Sequence, residues 1–229
     1  MTYAEPREQY VSARGGALAI VIMMIVQLSM LALSSLANVV GLGMLDDSPG
    51  MAGISFVVGG LLDLLGDTLW LATFIVFLTW VHRSIANLPA LGSTSCRFTP
   101  SWAVWCYLIP IPNLVLGYRV MATLWQESQP QTVDEHGYYL PRQNNIVSLW
   151  WVLVLISLFA TIATRQSNPL EVEGLRSLGI RQVVLNLLHL VEGALFVAVV
   201  RATQKRQDEM WLDLERRRDV PQPSAAALR

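Results

Sequence analysis

The sequence predicts an all-α polytopic membrane helix bundle: four transmembrane helices plus a Pro-broken re-entrant or interfacial helix pair. Three observations lead there. Hydrophobic residues are 53% of the 229 and charged residues only 14%, too apolar a balance for an ordinary soluble domain of this length. The charges are also cleared from long blocks: none falls between Gly15 and Leu45, between Phe98 and Tyr118, or between Gln143 and Thr164. Hydrocarbon about 30 Å thick takes roughly 20 helical residues to cross, and each block is near or above that length. The third observation is where the arginines fall, taken up below.

A first span lies near 17–45, after a short N-terminus (1–14) expected in the cytoplasm. Its uncharged run is about twice a signal-peptide h-region of 7–15 residues, so it reads as an uncleaved anchor. "DDSPG" (Asp46 to Gly50) then supplies acids and a Pro-Gly turn signal. The next apolar block runs from Met51 to Val81, with its spanning part near 61–81. The block around 102–127 holds Pro110 and Pro112 and continues into a helix whose Leu116, Val120, Met121, Leu124 and Trp125 share one face. A polar loop is expected over Ser128 to Asn145, and a span near 146–163. A short loop is expected to carry Arg165, Glu171, Glu173 and Arg176. The last span, near 180–200, closes a single membrane domain (15–200). Residues 201–229 read as a charged cytoplasmic helix to about Arg218 and a disordered tail.

Whether the proline block crosses is decided by charge. Cytoplasmic loops are enriched in Lys and Arg. With a cytoplasmic N-terminus and five spans, seven basic residues lie inside and nine outside; with four spans, thirteen lie inside and three outside. The prolines agree, since each costs about 3 kcal/mol or more in a helix interior. Trp102 to Ile109 reaches only about 12 Å as helix. The segment is therefore read as dipping in and returning around Pro110 to Asn113, with Trp102, Trp105, Tyr107 and Trp125 at its feet. A kinked fifth span is the alternative.

"WVHRSIANLPALG" and "TPSWAVWCYLIPIPNL", followed by "LW" and "SLWW", resemble the bacterial membrane family named only as domain of unknown function 4328. The positions that carry the resemblance are Trp80, Arg83, Asn87, Leu91-Gly92, Pro100, Trp102 to Val104, Pro110, Asn113-Leu114, Leu124-Trp125 and Trp150-Trp151. Pro112 departs from the pattern, where a small residue is more usual. The resemblance covers about Leu61 to Ala163 and implies a multi-pass topology, with no activity attached.

Few residues offer chemistry. Cys96 and Cys106 make no disulfide framework, no Cys/His set has zinc spacing, and no cofactor is expected. A net charge of −1 gives no pull toward nucleic acid. Arg83 and Asn87 share a face; Arg83 either snorkels to headgroups or caps carbonyls freed at Pro110. The sharper signal is ionisable residues at membrane depth. Asp63 and Asp67 lie at i, i+4 with Gly59, Gly60 and Gly66 nearby, and Gln182, Asn186, His189 and Glu192 (or Gly193) stripe the last span. Such residues usually face a partner or a cavity. The stripes are expected to meet as interhelical glue, as a proton or cation path, or as a metal site of two Asp, one His and one Glu. Ser34, Ser35 and Asn38 are expected to pack between helices. The expected partners are the bilayer, a second copy, and a cytosolic protein met through 201–218, where Met210, Trp211 and Leu214 make an apolar face. The functional reading is a bacterial inner-membrane component that is not an enzyme. A small ion or proton channel or transporter using Asp63, Asp67, His189 and Glu192 is the alternative.

Overall fold

The computed structural model describes residues 10–93, 96–130, 144–163 and 172–219. These form helices α1 (Arg14–Met44), α2 (Pro49–Ala86), α3 (Pro100–Leu108), α4 (Pro110–Glu127), α5 (Asn145–Ala163) and α6 (Val172–Asp219), with a 3₁₀ turn at Pro89–Leu91. No strand occurs among the described residues. Four helices, α1, α2, α5 and α6, are long and apolar enough to cross a membrane. The fold is the expected all-α bundle, with a broken pair beside the four.

α1 and α2 form an antiparallel hairpin along which α6 packs. Small residues set the spacing. A side chain at Gly16 would rest on Trp80, one at Gly59 would press on Asn38, and one at Gly41 would meet Phe56 and the Ala52 carbonyl. α6 approaches α1 in the same way, with Gly193 against Leu28 and Met24 and Gly179 against Leu42. The acidic turn after α1 is tied to α6 by Arg176, whose Nη2 donates to both Asp46 carboxylate oxygens at 2.7 and 3.0 Å. Asp46 is largely exposed and Arg176 partly so, so water screens this pair and it contributes at most about 1 kcal/mol.

The loop expected around Glu173 and Arg176 is instead the first part of α6, which runs unbroken for 48 residues, about 72 Å. Charges at a helix end read as a loop when length alone sets the span. The expected loop residues Arg165 and Glu171 lie outside the described residues, as do the tail beyond Asp219 and most of the loop before Asn145. The charged extension after Val200 is helical to Asp219, but it is not a free stalk. Thr203, Gln204 and Gln207 are buried, and Gln207 Nε2 donates to the Ser84 carbonyl and to Ser128 Oγ.

The proline segment folds back on itself. Ser93, before α3, donates to Glu127 Oε2 at the end of α4 at 2.8 Å, and Ser128 shares Gln207 with Ser84 near the end of α2. Both feet of the α3–α4 pair therefore lie at the same, arginine-bearing end of the bundle. At the tip the prolines begin a helix rather than interrupt one. Ile109 is the extended N-cap of α4, and Pro110 and Pro112 occupy its first and third positions. The first main-chain N–H with a helical acceptor is that of Asn113, bonded to the Ile109 carbonyl at 2.9 Å. Two of the three preceding residues have no N–H to leave unsatisfied.

On α4 the expected face is inward: Val120, Met121, Leu124 and Trp125 are buried, and Leu116 packs against them. Trp102 and Trp105 are exposed as a foot position requires, whereas Trp125, though at a foot, is buried, and so is Tyr107. Its ring meets Phe77 edge-on at 5.1 Å and its hydroxyl donates to the Gly117 carbonyl. Tyr107 is an interior residue near the tip, not a headgroup anchor.

Candidate intramembrane polar site

Ser34 and Asn38 of α1, Asp63 of α2 and Asn186 of α6 meet where the three helices converge. Asn186 Nδ2 lies 3.2 Å from Ser34 Oγ and 3.3 Å from Asp63 Oδ1, and Gln182 donates to Asn186 Oδ1 at 3.1 Å. Asn38 donates back to the Ser34 carbonyl and hydroxyl. Ser34, Ser35, Asn38 and Asn186 are buried, as expected for groups packed between helices. Of the three glycines beside the aspartates, Gly59 makes the close approach, whereas Gly60 and Gly66 have open space.

Two members of the expected cluster diverge from this knot. Asp67 is exposed on the bundle surface, within electrostatic range of Asp63 and His189. Glu192 turns to α5, where it lies 2.8 Å from Ser157 Oγ. The two stripes thus meet at Asn186 and Asp63, and the helical turn between His189 and Glu192 carries the stripe round to another neighbour. Gly193, the alternative member, is the contact with α1. Among the described residues, no three His, Cys, Asp or Glu side chains are grouped to hold a metal.

A second polar set surrounds the arginine-bearing end and absorbs much of the sequence pattern. Trp80 is buried and its Nε1 donates to Gln204 at 3.0 Å. Asn87 clamps the N-terminal segment, accepting from the Val11 N–H at 3.1 Å and donating to the Val11 carbonyl at 2.9 Å. Gln204 donates to Asp208, which also accepts from the Tyr10 and Ser12 hydroxyls. Trp125 lies under the Arg206 guanidinium, 4.0 Å from its centroid. Gly92 ends the 3₁₀ turn with φ 86°, a conformation other residues adopt at a cost. Pro100 opens α3 behind Thr99, whose hydroxyl accepts the Trp102 N–H at 3.3 Å.

Arg83 does not cap the proline break. It is exposed beside His82 and lines a surface groove with Trp80 and Val104. Two carbonyls in the first half of α4 take side-chain donors: that of Gly117 from Tyr107, and that of Leu114 from Trp151 Nε1 at 3.1 Å. Sequence reasoning missed Gln204, Gln207, Ser157, Phe77 and Phe196. The available signal was Gln204 and Gln207 lying three apart on the face that continues Val200 and Thr203.

No curated protein and no solved structure matches the chain. A family model described as Domain of unknown function (DUF4328) matches residues 44–205, from the end of α1 into the buried part of the α6 extension. That span is wider than the stretch that carries the resemblance and takes in both polar sets except their α1 and N-terminal members and, past its end, Arg206 and Asp208. The chain belongs to this family, a domain of unknown function built on apolar helices.

Proposed function

We propose that the protein is a non-enzymatic component of a bacterial inner membrane, with four spans and both termini cytoplasmic, that self-associates through the outer seam of α2 and α6. The supporting observation is Asp67. It sits about 27 Å from either end of α2, a helix about 57 Å long. Any upright placement that leaves both ends outside an apolar layer about 30 Å thick puts this residue inside it. Yet it is exposed, flanked by the exposed Leu64, Leu65, Trp70 and Leu71. A charged group there costs about 2.5–3.5 kcal/mol unless covered, and a second copy would cover it while bringing two Asp67–His189 sets together. Trp211 of the expected apolar face is stacked on Tyr10, so the docked extension of α6 presents its outer face, with Leu212 exposed, to a cytosolic partner.

The test is fluorescence transfer between separately labelled copies in liposomes. Wild type is expected to transfer at dilute protein-to-lipid ratios and Asp67→Leu to transfer less; wild-type copies that stay monomeric at every ratio overturn the reading. A reporter fused after Arg229 that is active only in the periplasm overturns the topology. The row Asp63, Asp67 and His189 also supports the second reading, an ion or proton path. Flux into liposomes that is lost with Asp67→Asn would establish that instead.

A further inference from the structure

Between α2, the α3–α4 tip, α5 and α6 lies a cavity of about 150 Å³. That is about the size at which an apolar cavity accepts a benzene-sized molecule. Its walls are aromatic: Phe77, Tyr107, Trp150, Trp151 and Phe196 line it, with half-exposed Trp70 at its edge. The rings brace one another. Phe77 meets Tyr107 and Phe196 edge-on at 5.1 and 5.3 Å, Trp150 stacks on Phe196 at 5.4 Å, and Trp151 stands edge-on to Trp150 at 5.4 Å.

Into this aromatic box comes one carboxylate, Glu192, reached by the Ser157 hydroxyl at 2.8 Å. Two polar atoms of lining residues, the indole N–H of Trp150 and Asn113 Oδ1, are buried without hydrogen-bond partners. Purely apolar cargo would gain nothing from Glu192, and an anion would be repelled by it. A cation gains from both parts of the wall, since aromatic faces attract positive charge and do so more strongly when water is excluded.

We propose that this cavity binds a small organic cation of the methylated-ammonium class, with its charge opposite Glu192 and its methyl groups against the aromatic faces. The inference is independent of self-association, because every lining residue belongs to one copy. Trp70 places the entrance on the flank of the bundle. Trp150, Trp151 and Asn113, marked in the sequence without an assigned task, acquire one as walls of this box.

The test uses the full chain in lipid nanodiscs and isothermal titration with tetramethylammonium. Neopentyl alcohol, a neutral molecule of similar shape that carries one added hydroxyl, serves as the control. Saturable binding of the cation and none of the alcohol is expected. Glu192→Gln is expected to weaken binding by about tenfold or more, as is Phe196→Leu, which keeps the site apolar but removes a π face. Elution volume and thermal unfolding identify any variant that fails to fold, and the other variant then decides. No saturable binding by wild type overturns the proposal. So does equal binding of the alcohol, which would mark an apolar void, and so does unchanged affinity in folded Glu192→Gln or Phe196→Leu.

Discussion

At Gly117 the largest side chain that fits is a hydrogen. A methyl group built there would collide with Asn113 Oδ1 and sit 2.8 Å from the Trp151 ring and 3.2 Å from Tyr107. The residue is also the acceptor for the Tyr107 hydroxyl. Gly117→Ala is expected to destabilise by about 1–3 kcal/mol, the usual cost of overpacking. Gly60→Ala, with open space around it, is expected to be neutral or slightly stabilising because alanine favours helix. Thermal unfolding in detergent separates the two. Equal effects would mean that helix propensity rather than space decides at these glycines. Sequence alone ranks these glycines differently, because glycines beside intramembrane aspartates look like contact points. Nothing in the chain announces that Tyr107 folds back onto Gly117.

For the helical elements the prolines make the sharpest case. A proline inside a spanning helix is a defect, and replacing it should stabilise by about 3 kcal/mol. Here Pro110 and Pro112 hold the first and third positions of α4, so Pro110→Ala or Pro112→Ala adds an N–H with no helical acceptor. Such a group buried away from water costs about 1–3 kcal/mol. Either substitution is therefore expected to lower stability, more in lipid nanodiscs than in detergent, where water reaches the tip. A gain in nanodiscs would return the segment to the class of kinked spans. That the segment turns back was legible from the arginine count, because membrane insertion itself sorts arginines by side. That the turn is also a well-formed helix start was not, since it depends on Ile109 taking an extended conformation.

For the whole molecule, the described chain is joined near its two ends. Tyr10 stacks on Trp211 at 5.2 Å and its hydroxyl donates to Asp208 at 2.6 Å. Burial, then the hydrogen bond to Asp208 and its charge, push the Tyr10 hydroxyl above its ordinary range near 10. A raised value keeps the proton on Tyr10 in the fold while the unfolded chain releases it. The resulting stability is complete below about pH 10 and is lost as pH rises through the folded-state value. The stability gap between wild type and Tyr10→Phe should therefore narrow as pH rises from about 9 to about 12. A gap that stays constant would place Tyr10 in solvent. The four long helices were legible because a bilayer crossing demands an apolar run of about 20 residues within each, and the Asn186–Asp63 contact because each belongs to a polar stripe at helical spacing. The reach of α6 was not, because charged ends resemble loops. Nor was the turn of Glu192 toward Ser157, which depends on where α5 stands.

The unbroken course of α6 has a mechanical consequence. It holds the acidic turn through Arg176, the aromatic box through Glu192 and Phe196, and the N-terminal segment through Gln204 and Asp208. A straight helix transmits torsion along its axis, because its main-chain hydrogen bonds resist local unwinding. Any turn of α6 that swings Phe196 off Trp150 also swings Gln204 off Trp80, about 12 Å farther along. The two ends of the molecule are geared to a single shaft, so that a twist begun at the aromatic box is delivered to the Tyr10–Asp208 contact.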